Sequence, residues 1–513
     1  MPRVFGIETE YGITIDGAES VDVVAESIEL VRSYTRDGAL MKWDYQLEDP
    51  HRDARGFRAA ELLQDTDESA YFEIDKNRPL SFEEIKSDLV LSNGARFYND
   101  HAHPEYSTPE CTTWREVVAH DKAGERILAE CARRRNLQLP EGQSLRLYKN
   151  NTDFVGHSYG CHDNYLMRRD VPWARLVAGM LPFLVTRQIF AGAGKLGIES
   201  ESAAGQPGLY QISQRADFFS VLVSIDTMNK RPLVNTRDEP HADPAKYRRF
   251  HVIIGDSNMS EWATALKIGT TALALELIER GEAPDLEFAN PVAAAKSISR
   301  DPDRRWIVEL HDGETISAIE VQRRFLAAAR GLESVATDSD QAWIVHEWEK
   351  VLDDLEHDVR LTRDRVDWVA KEFLLGALRE EEGLAWTDPW LQAIDLEYHQ
   401  VSTDGLFAEL VAQGSMRQVV SEEAIRAAVA NPPETTRAFF RGRSVARFHE
   451  AIASLQWDEI VFRRGVETRR IALPEPAGDA LDDLNSAVRD AADLDAFWER
   501  SLLLPQRSDA QHP

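Results

Sequence analysis

The chain has 513 residues, 43% of them hydrophobic, with 59 Lys and Arg against 88 Asp and Glu for a formal net charge of -29. That length can bury a large core, and the negative charge disfavours nonspecific nucleic-acid binding, which depends on cations set against phosphate. No run of about 18 or more apolar residues exists, so no membrane span is expected, and Arg3, Glu8 and Glu10 interrupt the N-terminus where a signal-peptide core would lie. Cys111, Cys131 and Cys161 are widely spaced and odd in number, which suits small buried thiols in a reducing cytoplasm rather than a disulfide framework or a Cys-type zinc site.

In chain order, Val4 to Ile13 reads as a first strand. Phe5, Ile7, Tyr11 and Ile13 can face a core while Glu8 and Glu10 share the other face, flanked by Gly6 and Gly12. Two carboxylates this close repel unless a cation sits between them, and a hard divalent ion such as Mg²⁺ answers that need. The segment from Arg52 to Asp88 is long for a connection between sheet strands. Asp65, Asp67, Glu68, Glu73, Asp75, Glu83 and Glu84 make it acidic, so it reads either as a solvated insertion or as a loop that gates or binds. Asn93 to Tyr106 reads as extended chain, which sets Arg96, Tyr98 and Asp100 on one face with Glu105 following. Either strand alone has the ordinary reading of one solvated face of an antiparallel sheet; together they favour a Mg-nucleotide site.

Strand-like alternation returns at Leu145 to Asn150, Val221 to Ile225 and Phe250 to Ile254. Gly192-Ala193-Gly194-Lys195 lacks the spacing of a phosphate loop and is expected to be a turn. Asp256, Ser257 and Ser260 are capping candidates ahead of a helix carrying Leu266, Ile268, Leu273, Leu277 and Ile278, apolar enough to be buried against the sheet. Further helices are expected from about Val321 to Leu378, and Asn431-Pro432-Pro433 marks a linker. Lys149 to Asp153, His157, Asn164 and Asn235 to His241 offer donors at strand ends, and His251 shares a face with Arg249. No His-x-x-x-His or CxxC spacing occurs, so zinc chemistry is not expected.

Gly6 to Gly12, Asn93 to Glu105, Lys149-Asn150-Asn151, Ser158-Tyr159-Gly160, Asn235 to Asp243 and Tyr247 to Asp256 resemble, in order, the Pup ligase and Pup deamidase/depupylase family of actinobacteria. The resemblance runs from about Arg3 to about Arg464. It implies an α+β fold related to glutamine synthetase, in which a curved antiparallel sheet cradles Mg-ATP with helices behind it and a small C-terminal domain beside it. The implied division is residues 1–430 as the catalytic domain with an inserted loop at about 45–88, residues 434–505 as the small domain, and 506–513 as a polar tail. The Arg52 to Phe57 stretch, the Asp100 to Glu105 spacing, Gly414-Ser415-Met416 and Phe439 to Gly442 resemble the depupylase branch. Phe5 to Glu8, Gly160 to Asn164 and Gly192 to Lys195 look closer to the ligases.

By motif, the resemblance implies Asp100 as the catalytic residue, Glu8, Tyr98 and Glu105 as Mg²⁺ ligands with Glu10 adding charge, and Arg96, Thr108 and Trp457 as ATP contacts. The implied activity is deamidation of the C-terminal Gln of Pup and cleavage of the Pup-lysine isopeptide bond. Pup and pupylated proteins are then the partners, with no nucleic acid or membrane, and the enzyme a cytoplasmic monomer. A Pup-protein ligase and a non-catalytic Pup-binding module are the alternatives.

Overall fold

The computed structural model describes residues 3–34, 42–62, 78–199, 206–227 and 230–506. Of the acidic residues named in the insertion, Asp65, Asp67, Glu68, Glu73 and Asp75 lie outside these, as does the tail beyond residue 506.

One eight-stranded sheet organises the chain. Its strands are β1 (Phe5–Glu10), β2 (Leu89–Val90), β3 (Arg96–Asp100), β4 (His103–Ser107), β5 (Cys161–Arg168), β6 (Val221–Ser224), β7 (Pro232–Asn235) and β8 (Tyr247–Val252). They lie in the order β6-β7-β8-β5-β1-β4-β3-β2. The expected antiparallel pairing holds from β7 to β2, while β6 joins β7 in parallel at the edge.

The alternation in β1 is as the sequence dictates, with Phe5, Ile7 and Thr9 buried and Glu8 and Glu10 turned to the more open face. The strand does not continue to Ile13 as one element. It breaks at the fully buried Tyr11, whose amide bonds to Pro104 O, and Gly12–Asp16 pairs instead with Ser144–Tyr148 in a separate two-stranded ribbon. Tyr11 keeps the core-facing phase of Phe5 and Ile7, so it is the pairing of Gly12–Asp16 with Ser144–Tyr148 that ends the first strand.

Behind the sheet, Phe5, Ile7, Tyr165, Met167, Phe250 and Val252 pack into a cluster with helices Trp173–Thr186 and Glu261–Arg280. The latter is the apolar helix expected from sequence. Ser260 caps it by accepting from Ala263 N at 3.2 Å, and Leu266, Ile268, Leu273, Leu277 and Ile278 are all buried. Each such side chain contributes about 2 kcal/mol of hydrophobic stabilisation. The second half is mainly helical, including Ala318–Ala329, Ser339–His357 and Asp367–Glu382, and Glu422–Ala430 stops where Asn431-Pro432-Pro433 begins.

A separate hydrophobic cluster gathers helix Arg437–Phe448, the three-stranded sheet Ile452–Leu455, Glu459–Arg464 and Glu467–Ala472, and helices Asp482–Asp490 and Leu494–Arg500. Trp43 and Val90 join it from the N-terminal part. Residues 42–44 lie along Leu455, with Asp44 N donating to Leu455 O at 3.0 Å and Leu455 N to Lys42 O at 3.0 Å. Among the described residues, no helix is long and apolar enough to cross a membrane.

Candidate active site

The open face of the sheet carries the residues the sequence singles out. Register places Tyr98 opposite Glu105 and Glu105 opposite Glu10, so a phenol and two carboxylates form one row across β3, β4 and β1. The next row holds Arg96, Ser107, Glu8 and His162, and Asp100 lies opposite His103 at the end of the β3-β4 hairpin. A strand exposes alternate side chains to one face, so four neighbouring strands bring these groups together without any loop.

Oxygens of Glu10, Asp100 and Glu105 lie within 4.8 Å of one another, and Glu8 makes a second group with His162 and His251. Of the expected metal-binding residues, Tyr98 donates its hydroxyl to Glu105 at 2.6 Å, whereas Glu8 stands nearer the two histidines. Burial pushes the Glu105 carboxyl well above the usual carboxylate range, and Asp100, Glu8 and Glu10 push it further. Glu10 is raised to about 8, by burial first and then by Asp100. Burial also tends to raise Glu8, but the hydrogen bond from His162 and the Arg249 guanidinium outweigh it and hold this carboxyl low. Gly160 permits the crowding, because a Cβ there would stand 2.6 Å from Glu10 Oε1 and 2.8 Å from His162 Nε2.

Two cavities open beside these residues, one with Glu8 in its wall and the other with Glu10 and Asp100. A narrow one of about 100 Å³ runs between β1 and the C-terminal part, with Gly6, Glu8, Thr108, Asn164, Arg249 and Trp457 in its walls. Thr108 Oγ1 accepts from Ile7 N at 3.0 Å, and Trp457 meets Trp43 edge-on at 5.4 Å between ring centroids. A wider cleft of about 490 Å³ lies on the other side, lined by Glu10, Asp100, His103, Tyr159, His162 and Arg215 among others.

Arg96 lies against the narrow cavity's side of the site rather than in it. Its guanidinium stacks 4.0 Å from the Trp43 ring centroid and 4.1 Å from that of Tyr98, and Nε donates to Asp88 at 2.9 Å. Asp100 pairs with Lys86, Nζ to Oδ1 at 2.6 Å. Burial opposes ionisation of Asp100, but Lys86 and His101 outweigh it and hold the carboxyl far below its ordinary range.

The insertion is docked at both described ends. Asp53 accepts from Thr236 Oγ1 at 2.5 Å, Ala54 N donates to Thr236 O at 2.8 Å, and Asp49 N donates to Glu239 Oε1 at 2.7 Å. Arg55 forks onto Asp53 with Nε and an Nη at 2.9 and 2.8 Å.

Sequence reasoning gave His162 and His251 no role at the site, and it did not connect Lys86 or Asp88 to it. The histidines come from β5 and β8, which are distant in sequence, and their one signal is alternation in phase with Asn164 and Arg249. Gly156-His157-Ser158-Tyr159-Gly160 has the outline of a nucleophile elbow, yet Ser158 sits in irregular chain before β5 and accepts from Arg215 Nε at 3.3 Å. No strand-to-helix turn presents it.

Residues 3–461 match the family described as Pup-ligase protein. A protein named Depupylase from Acidothermus cellulolyticus is 46% identical over 515 residues, covering 96% of this chain and 99% of that one. Another named Pup deamidase/depupylase from Mycobacterium tuberculosis is 43% identical over 508 residues, covering 95% and 98%. Among solved structures, the Pup ligase PafA in complex with Pup superposes with a TM-score of 0.75 at 31% identity over 98% of this chain and 95% of that one. PafA in complex with ADP gives 0.72 at 32% identity, over 88% and 96%. The chain belongs to the Pup-ligase protein family.

Proposed function

We propose that this protein is a Pup deamidase/depupylase, an amidohydrolase that converts the C-terminal glutamine of Pup to glutamate and cleaves the isopeptide bond joining Pup to substrate lysines. Near full-length identity to relatives named for those activities carries this reading. The partners are Pup and pupylated proteins, and the protein works as a cytoplasmic monomer. Residues 1–430 form the catalytic domain and 434–505 a small domain that closes over it.

ATP and Mg²⁺ are the cofactors of this reading, which the ADP complex of the related ligase supports for the nucleotide. Thr108 and Trp457, both in the narrow cavity, and Arg96 beside it hold the nucleotide, with the Trp457 ring offering a face to adenine. Glu8, Tyr98 and Glu105 hold Mg²⁺, with Glu10 adding charge. The donor chemistry fits at Glu105, which burial and the neighbouring Asp100, Glu8 and Glu10 carboxylates raise and whose oxygen lies within 4.8 Å of those of Glu10 and Asp100, while Glu8 stands in a second group with His162 and His251; a hard divalent cation would relieve that crowding. Bound there, the metal supplies positive charge to a developing oxyanion.

The chain's own chemistry falls to Asp100, which lines the wider cleft in ionised form. It acts on the γ-carbonyl of the terminal Pup residue, as nucleophile or as the base that takes a proton from water. Either route consumes one water. It leaves a free γ-carboxylate on Pup and releases ammonia from glutamine or the lysine amine from a conjugate.

The test is direct. Purified protein is incubated with Gln-ended Pup, a Pup conjugate and Mg-ATP, and the mass of Pup and of released substrate is followed. Amide-to-acid conversion and conjugate release without stoichiometric ATP consumption is the expected result. Formation of new conjugates from Glu-ended Pup with matching ATP consumption would make the protein a ligase. No turnover in either direction would leave a Pup-binding module.

A further inference from the structure

Lys86 is the side chain that the proposed function leaves without a role and that touches the reacting carboxylate. We propose that Lys86 is a positioning residue, a cation delivered by the insertion that fixes Asp100 for attack. The proposal rests on the reading of Asp100 as the acting carboxylate.

The contact is close and the lysine is held from several sides. Lys86 Nζ lies 2.6 Å from Asp100 Oδ1 and 5.9 Å from the Tyr98 ring centroid. It ends the short helix Phe82–Lys86, which starts in a capping box between Ser81 and Glu84. Asn99 Nδ2 donates to Ile85 O at 3.1 Å, and Arg32 donates to Glu84 O at 3.0 Å and to Ser87 Oγ at 3.1 Å. The helix is therefore pinned by Asn99 to β3, the strand that bears Asp100, and by Arg32 to the helix Val23–Arg32.

Ser87 adds an independent sign. It is fully buried with φ +45, a left-handed conformation that non-glycine residues rarely adopt and that clusters at functional sites. The turn it makes sends Lys86 to Asp100 and Asp88 to Arg96, so the residues on either side of Ser87 touch both halves of the site.

The chemistry gives the pair a purpose. Asp100 stands within reach of the Glu10 and Glu105 carboxylates, which repel it, and a cation on one oxygen sets that repulsion off. With Oδ1 held, the carboxylate loses rotational freedom while its second oxygen stays free of Lys86 at the edge of the cleft. Restricting a reacting group in this way is a source of rate.

The test uses Lys86→Met, which keeps the aliphatic stem, Lys86→Arg, which keeps the charge, and Asp100→Ala, each in the full chain. Deamidation of Gln-ended Pup is measured as kcat and KM, alongside Mg-ATP affinity and the unfolding temperature. In Lys86→Met, kcat falls on the order of 10- to 100-fold while KM and nucleotide affinity hold within about twofold, and Lys86→Arg recovers most of the loss. A wild-type kcat in Lys86→Met beside an inactive Asp100→Ala overturns the proposal and leaves the Asp100 reading standing. So does a kcat loss that Lys86→Arg leaves unrepaired. Near-normal turnover in Asp100→Ala removes the reading underneath it.

Discussion

Glu110 joins the cradle to the C-terminal part, and its removal is the sharpest test of how Trp457 is held. It follows β4 by three residues and receives Arg437 Nε at 2.8 Å and an Arg441 Nη at 2.5 Å, both arginines lying one turn apart on helix Arg437–Phe448. All three side chains are largely buried, at 12%, 3% and 0% exposure. Arg441 also donates to Gly94 O at 2.8 Å and Trp457 O at 3.2 Å, and its guanidinium lies 4.6 Å from the Trp457 ring centroid. Burial tends to raise the Glu110 carboxyl, but Arg441 and Arg437 outweigh it and draw it from 4.5 to about 2. That depression corresponds to about 3 kcal/mol favouring the ionised native state at neutral pH. Because the folded value is the lower one, the stabilisation is complete above about pH 5 and is lost as pH falls toward about 2. Glu110→Gln mimics the protonated form and leaves two buried guanidiniums short of a counter-charge. Hydrogen exchange of the Arg437–Phe448 amides reads this locally. Protection at neutral pH should drop by about two decades in the variant, and the gap from wild type should close as pH falls through the acid range. Equal protection at neutral pH, or a deficit unchanged down to about pH 2, would refute the reasoning.

At the site itself, Asp100→Ala should cost about two to four decades of deamidation and depupylation while Mg-ATP still binds; near-normal rates would sink the catalytic assignment. Glu8→Gln and Glu105→Gln should weaken Mg-ATP binding, because an amide removes charge from a hard-ion site, and titrations showing unchanged affinity in both would contradict the ligand set. Deleting Arg52 to Asp88 while keeping Asn93 to Glu105 takes Lys86 and Asp88 away from Asp100 and Arg96. The folded deletion variant should show altered hydrolysis or nucleotide handling, and wild-type values in both assays would make the insertion passive.

What could be read from the sequence, and what could not, follows from the range of the interactions. Strand geometry is local, so alternation alone put Glu8 with Glu10, and Arg96 with Tyr98 and Asp100, on shared faces, and β1 and β3 carry them that way. The helix over Leu266 to Ile278 was legible for the same reason: a long apolar run behind a serine cap has few other places to go. Register between strands is not local. That Glu10 faces Glu105 depends on pairing across about a hundred residues, and the His162 and His251 contributions depend on β5 and β8 taking adjacent places. The break at Tyr11 escaped because Tyr11 and Ile13 fit the same alternation as Ile7; only the competing pull of the Ser144–Tyr148 strand decides against one continuous element.

The insertion shows the limit most clearly. By composition its last turn is one more acidic stretch, with Glu83, Glu84 and Asp88 around a single lysine, and charge runs of that kind are ordinarily solvated. Asn99, Arg32 and a left-handed Ser87 fold that turn back onto β3, so the lysine meets Asp100 and the aspartate meets Arg96. Each of those partners is individually unremarkable in the sequence. The arrangement exists only in their convergence, which is why perturbing Lys86 and Asp100 in parallel reports on more than either residue alone.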